Sequence, residues 1–450
     1  MKYQVYARHN LDKIPVYGKL SKEQIQSIKL VSEVLPFKTN NYVVNELIDW
    51  DNYLEDPMYI LNFPQKEMLK PSQFKALSDL VENNISKADL AKYIQELQLN
   101  LNPHPAGQME HNVPTMQGVK LTGIQHKYRE TLLFFPTQGQ TCHAYCTFCF
   151  RWPQFTGHSE LKFAMKQPAL LVSYLKENPS ITDVLITGGD PMVMKTAMLE
   201  KYINALLDAD LPQLKTIRIG TKSLSFWPYR YLSDPDSDEL LNLLRKVNDR
   251  GIHLAFMAHL NHPRELETDA VKEAISRIRE TGTQIRSQSP LLRHINDDPA
   301  IWKALWQEQV NLGIIPYYMF VARDTGAQSY FGVTLEKAHQ IFKEAYQGIS
   351  GIGRTVRGPS MSAGPGKVRI VGITEVKGEK VFTLEFLQGR NPEWVGKPFF
   401  AAFDPEAQWL DDLVPAFGEK EFFFEKEYNK LLKVDKLPGH ILKTDNKKYA

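Results

Sequence analysis

The residues best equipped for chemistry are Cys142, Cys146 and Cys149, spaced C-x3-C-x2-C in the segment CHAYCTFCFR. They are the only cysteines in 450 residues, and an odd, tightly clustered set is a poor disulfide framework. Thiolates are soft ligands suited to iron–sulfur clusters, and a cubane usually takes four of them. Three thiolates on one short loop hold three irons and leave the fourth open to a ligand from outside the chain. The competing reading is zinc on the same thiols with His143 or His158, although zinc sites usually bring ligands as two separated pairs. An inert electron-transfer cluster would want a fourth cysteine, which this chain lacks.

An open iron of a [4Fe-4S] cluster can bind S-adenosylmethionine (SAM) through its amine and carboxylate. The reduced cluster can then pass one electron to the sulfonium. Other residues fit around such a centre. In GGDP (188–191), glycines allow close approach of backbone to a ligand, and Asp190 can receive an ammonium; the same residues also suit a strand-end turn with a capping aspartate. Arg151 follows Cys149 by two positions, and its guanidinium fork suits a carboxylate. Lys367 leaves a Gly/Pro loop, GPGK (364–367), a setting that by itself is usually just surface.

Regular elements must position these groups. The first hundred residues carry apolar residues near a 3.6 period at 21–37, 71–84 and 87–99, which predicts helices. The stretch 100–118 is rich in Pro, Gly, Asn and His and reads as a linker or extended arm. From about 130 the chain alternates β-like runs with helical stretches; the runs fall at 131–136, 183–189, 216–221, 253–260, 284–292 and 314–321. Six strand–helix repeats predict an α/β fold, a partial (β/α)6 barrel, with an N-terminal helical region and a C-terminal extension. The expected division is 1–110, 111–348 and 349–450. CHAYCTFC, GGDP, GTKS, HLNHPRE, SQSPLLR and ARDTGA all fall at the C-terminal ends of the strands, where barrels of this kind keep their chemistry. Beyond 350, SGIGRTVRGPSMSAGPGK reads as loop, 368–387 as a hairpin turning at KGE, and the tail 442–450 as frayed.

Composition limits the alternatives. Lys+Arg 54 against Asp+Glu 52 gives a net charge of +2, which offers no electrostatic case for nucleic acid or an anionic membrane. No apolar run approaches the ~20 residues of a membrane helix. The N-terminus lacks a signal-like apolar core, so a cytoplasmic protein is expected.

The loop CHAYCTFCFR, with Phe148 before its third cysteine, resembles the radical SAM superfamily, and the chain from about 35 to 371 resembles the lysine 2,3-aminomutase family within it. The likeness is carried by HKYRETLLF (126–134), LITGGDPM, IRIGTKS, HLNHPRE, QSPLLRHIND and IPYYMFVARDTG. It implies that Gly188, Gly189 and Asp190 hold the methionyl amine of SAM, with Gln288, His259 and His262 nearby. It implies pyridoxal phosphate (PLP) on Lys367, its phosphate near Lys127; Thr131 falls at a second phosphate position, and Arg129 lies close by. Arg151 matches the residue for the substrate carboxylate.

The two family aspartates for the distal ammonium of lysine fall on Ser360 and on Ala322 or Arg323, with Asp324 adjacent. The resemblance thus implies an α-to-β amino shift on a small-molecule amino acid substrate that need not be lysine, with Arg323 favouring an anionic group. An external one-electron reductant and a homo-oligomer are expected, without the family's intersubunit zinc. The alternatives are other radical SAM chemistry on a peptide or protein side chain without PLP, and a non-enzymatic metal or redox sensor.

Overall fold

The computed structural model describes residues 1–157 and 162–434; His158 and the tail 442–450 lie outside these. Six strands form the centre of the molecule: β1 (Thr131–Phe134), β2 (Asp183–Ile186), β3 (Thr216–Thr221), β4 (His253–His259), β5 (Gln284–Leu291) and β6 (Ile315–Val321). They pair in chain order, every neighbour parallel. The connecting helices are α1 (Pro168–Glu177), α2 (Thr196–Leu207), α3 (Ser237–Asp249), α4 (Asp269–Arg279) and α5 (Pro299–Asn311), and α6 (Leu335–Gln347) follows β6.

Because the strand order never reverses, right-handed crossovers place all the helices on one face of the sheet. The other face is left to enclose a cavity. Alternation along the strands matches this division. In β5, Ile285 and Leu291 are buried, whereas Arg286, Gln288 and Pro290 line the cavity. Residues of all six strands face that one cavity, so the sheet curls into the predicted partial barrel.

The edges of the barrel are closed differently. An antiparallel strand, Ile124–Tyr128, flanks β1 and carries Lys127. Beside β6 the chain departs from expectation. The Gly/Ser/Pro-rich stretch read as loop contains β7 (Arg357–Ser362), parallel to β6. Its local composition signals turns, but Pro359, Ser360 and Met361 are buried in the sheet, and pairing on both sides overrides local preference. β7 pairs antiparallel with β8 (Gly366–Val376), which forms the predicted hairpin with β9 (Glu379–Gly389). Lys377 and Gly378 turn that hairpin at positive φ, 52° and 79°. β10 (Pro398–Ala402) ends the sheet.

The N-terminal helices form at Lys22–Val34, Pro71–Glu82 and Lys87–Asn100. The strand Lys38–Asn40 between the first two lies against the cysteine loop. The arm after residue 100 is built of short turns at Pro105–Gly107 and Gln108–His111, and Ala106, Gln108 and Asn112 form part of the cavity wall.

Candidate active site

A cavity of about 600 Å³ occupies the barrel and its C-terminal mouth. Cys142, Cys146, Cys149, Arg151, Gly188, Gly189, Asp190, Gln288, Arg323, Lys127 and Lys367 all line it. Residues up to 240 positions apart in sequence thus face one space. His259 also lines it, whereas His262 caps the turn Pro263–Leu266 by accepting the Arg264 N–H.

The cysteine loop leaves β1 and is held by partners far away in the chain. The Lys38 Nζ donates to the Cys142 carbonyl at 2.6 Å and to Thr141 Oγ1 at 3.2 Å, while the Lys38 carbonyl accepts the Tyr145 N–H at 2.7 Å. Tyr3 OH and Asn40 Nδ2 both donate to the His143 carbonyl, at 2.7 and 3.2 Å. Thr147 donates its N–H to Leu61 and its hydroxyl to Ile60. The loop therefore has a defined backbone shape, with its half-buried thiols turned to the cavity.

Burial pushes the Cys149 thiol up to about 11 and raises Cys142 and Cys146 as well. Such thiols stay protonated until a metal supplies the compensating charge. Among the described residues, no three Cys, His, Asp or Glu side chains converge as a single-ion site. One zinc would need its ligands within about 2.0–2.3 Å of one point. A cubane spreads its thiolates over separate irons, and three cysteines with no fourth in the chain suit one that keeps an iron open.

Gly188 and Gly189 are required first by the cysteine loop. A Cβ on Gly189 would lie 2.4 Å from the Thr141 carbonyl oxygen, and one on Gly188 would lie 2.3 Å from Gln140 Nε2. Gly188 also sits at φ 149°. The Gly189 and Asp190 N–H groups donate to the Gly139 and Thr141 carbonyls at 3.0 and 2.7 Å. The motif thus fastens the end of β2 to the residues just before Cys142.

Asp190, 2% exposed, accepts from the Met192 N–H (2.9 Å), Thr221 Oγ1 (2.7 and 2.8 Å) and the Lys222 N–H (2.8 Å). Burial lifts its carboxyl to about 6 against these donors. The capping role open to Asp190 in the sequence is realised on the turn Pro191–Val193.

Lys367, which lines the same cavity, lies at the start of β8. Its Nζ donates to Gln388 Oε1 at 3.1 Å and lies 4.0 Å from the Tyr318 ring centroid. Burial brings this ammonium down to about 7, a value at which a lysine is a usable nucleophile. The Lys127 Nζ donates to the Ala363 carbonyl; burial, with Arg390, Arg323 and Lys367 nearby, pushes it well below its ordinary 10.5. Arg323 donates Nη2 to the Ser362 carbonyl at 3.2 Å, and its buried Nε has no protein partner. Arg151 lies against the rings of Phe135 (4.5 Å) and Phe150 (5.0 Å); burial draws it down to about 10, still charged at neutral pH.

The cavity has little negative charge to offset these cations. Among the described residues, the carboxylates lining it are Asp183 and Asp190, and both are engaged. Asp183 accepts from Arg218 Nε at 2.8 Å and from Thr131 Oγ1 at 3.1 Å. Asp324 does not line the cavity; its Oδ2 accepts Asn102 Nδ2 at 2.9 Å. Ser360 is fully buried, its hydroxyl 3.4 Å from the Met319 carbonyl. Sequence reasoning missed Lys38, Tyr318, Gln388 and Arg218. Only Arg218 carried a signal, as a charged residue inside a strand that is otherwise apolar at alternate positions.

An α/β partial barrel with three thiols and a lysine of depressed pKa facing one cavity has the layout of an enzyme that works with bound cofactors. No family model matches the chain. It is 31% identical over 401 residues to a provisionally named L-lysine 2,3-aminomutase of Aquifex aeolicus (strain VF5), covering 89% of this chain and 93% of that one. It is 27% identical to a glutamate 2,3-aminomutase of Clostridioides difficile (strain 630), covering 68% of this chain and 70% of the relative. A radical SAM methyltransferase from Sphaerobacter thermophilus matches 63% of this chain and 83% of its own, with 14% identity and a TM-score of 0.36.

The chain belongs to the lysine 2,3-aminomutase family of radical SAM enzymes and is an aminomutase, an isomerase. The metal-sensor alternative is thereby set aside. Among the described residues, no helix is long and apolar enough to cross a membrane.

Proposed function

We propose that this aminomutase uses a [4Fe-4S] cluster, SAM and PLP to move an amino group from the α to the β carbon of an amino acid with an acidic side chain. The observation that carries the reading is the shared cavity. The cysteine loop, Lys367, Arg151 and Arg323 all line it, and among the described residues the two carboxylates that line it, Asp183 and Asp190, are engaged. When bound, the cluster and SAM supply a carbon radical, and PLP supplies a ring that carries the migrating nitrogen and delocalises an unpaired electron.

The residues divide the remaining work. Cys142, Cys146 and Cys149 hold the cluster and leave one iron for SAM. Gly188 and Gly189 bring backbone against the SAM methionyl group, and Asp190 sets the end of that seat. His259, kept neutral by burial and with an unpartnered Nε2, and Gln288 complete it from β4 and β5. Lys367 attaches PLP, and Lys127 receives its phosphate. Arg151 takes the substrate α-carboxylate as a fork.

Arg323, with its unpartnered Nε, takes a side-chain carboxylate. A second ammonium, as in lysine, would meet that guanidinium, and among the described residues neither Asp324 nor Ser360 lines the cavity to receive it. The apolar rings of Phe148 and Phe150, which line the cavity, keep water from the reacting carbons.

The test is anaerobic reconstitution with iron, sulfide, SAM and PLP, followed by an amino acid panel read by mass spectrometry. A β-amino acid formed from glutamate, and not from lysine, is the expected result. A β-lysine product would overturn the substrate assignment. Wild-type protein that takes up no PLP would overturn the cofactor assignment.

A further inference from the structure

Behind the cavity mouth lie buried polar side chains to which the proposed reaction gives no task. Lys222 is 9% exposed, Ser289 2%, and Asn261, Glu265 and Asn296 are all at 0%. They form one continuous chain of hydrogen bonds. Lys222 Nζ donates to Glu265 Oε1, to Asn261 Oδ1 at 2.9 Å and to the His259 carbonyl at 3.2 Å, which uses all three of its protons. Glu265 Oε2 accepts the N–H groups of Asn261 and His262. Asn261 Nδ2 donates to Ser289 Oγ at 2.9 Å, and Asn296 Nδ2 to the Asn261 and Pro290 carbonyls at 3.0 and 3.1 Å.

The chain continues in the other direction. The Lys222 N–H donates to Asp190 Oδ2 at 2.8 Å, and the Asp190 N–H donates to the Thr141 carbonyl at 2.7 Å, next to Cys142. One belt therefore joins the cysteine loop to the ends of β2, β3, β4 and β5.

A buried ion pair with saturated partners seldom improves stability over a well-packed apolar pair; what it can specify is position. Lys222 also lines the cavity, whereas Glu265 does not. We infer that Lys222 is a positioning residue for SAM: through Asp190 on one side and the Asn261–Ser289 bonds on the other, it sets the spacing of the strand ends on which SAM is seated. This rests on the proposed role of Gly188, Gly189 and Asp190 in binding SAM.

The experiment uses full-length reconstituted enzyme. Lys222→Met alone strands a buried carboxylate, so the informative variant is Lys222→Met/Glu265→Met, which removes both charges together. Its thermal midpoint, iron content and PLP absorbance are expected to stay close to wild type. Its KM for SAM, measured by 5′-deoxyadenosine formation, is expected to rise by about tenfold or more, with a smaller change in kcat. Lys222→Arg, which keeps the charge, recovers part of the loss.

Ser289→Ala cuts the belt without touching a charge and is expected to raise the KM for SAM about threefold. A folded double variant with wild-type KM for SAM overturns the inference. So does an unfolded double variant accompanied by an unchanged KM in Ser289→Ala. Wild-type enzyme that neither binds nor cleaves SAM rejects the underlying SAM assignment instead.

Discussion

Lys367 Nζ lies 4.0 Å from the ring centroid of Tyr318 and within hydrogen-bond reach of Gln388, half-buried in the cavity wall. Burial brings this amine down to about 7, so it is substantially unprotonated at neutral pH. PLP capture should therefore rise with pH through a midpoint near 7, followed by the absorbance of the bound cofactor. A midpoint near the ordinary lysine value of about 10.4 would refute the buried setting. Lys367→Ala should abolish the signal.

The same shift has a consequence for the apoprotein. Below about 7, folded and unfolded chains both hold the Lys367 proton. Between about 7 and 10.5 only the unfolded chain holds it fully. Stability therefore rises with pH across that window, since the unfolded state binds more protons there. In a Lys367→Met variant this part of the pH dependence should vanish, as seen in denaturant midpoints taken at pH 7 and 9.

Lys38 is a second point of leverage, because it reaches the cysteine loop from the N-terminal region. Lys38→Met removes the donors to the Cys142 carbonyl and Thr141 Oγ1. A buried acceptor left unsatisfied costs on the order of 1–3 kcal/mol. Iron content after reconstitution should fall below half of the wild-type value while far-UV circular dichroism is unchanged. Full iron occupancy would show that the loop keeps its shape without this clamp.

Gly189→Ala tests the fit between the two motifs directly. The added Cβ would meet backbone atoms of Thr141 at 2.4–2.7 Å, so the cysteine loop must shift. Overpacking of this kind costs about 1–3 kcal/mol. Cluster assembly should suffer more than any PLP uptake at Lys367, which lies on β8 and not on the cysteine loop; equal loss of both would point to global unfolding.

Arg323→Gln addresses the substrate. If its guanidinium receives a carboxylate, kcat/KM for the acidic substrate should fall by roughly 30- to 1,000-fold, on the order of 2–4 kcal/mol, with the loss mostly in KM. An unchanged KM would remove Arg323 from the substrate's surroundings.

Much of the barrel was legible because its six strands bury one face and turn the other to a cavity, which leaves an alternating pattern, and because the unusual segments recur at strand ends. The cysteine triplet was legible from spacing alone. Lys367 was not: a lysine after a Gly/Pro run looks like surface, and only the family resemblance singled it out. RGPSMS was misread because its residues favour turns, and its strand state depends on neighbours on both sides.

By itself, then, the sequence determined which thiols gather on one loop and which strands bear the motifs, since both follow from short-range spacing. Tertiary structure alone decided that Asp190 would be saturated by Thr221 and Lys222, that Lys38 would clamp a loop about a hundred residues away, and that Arg151, Arg323 and Lys367 would share one cavity with the thiols. Burial and hydrogen-bond partners are properties of where chain segments meet, and no local pattern records where a distant segment will pack.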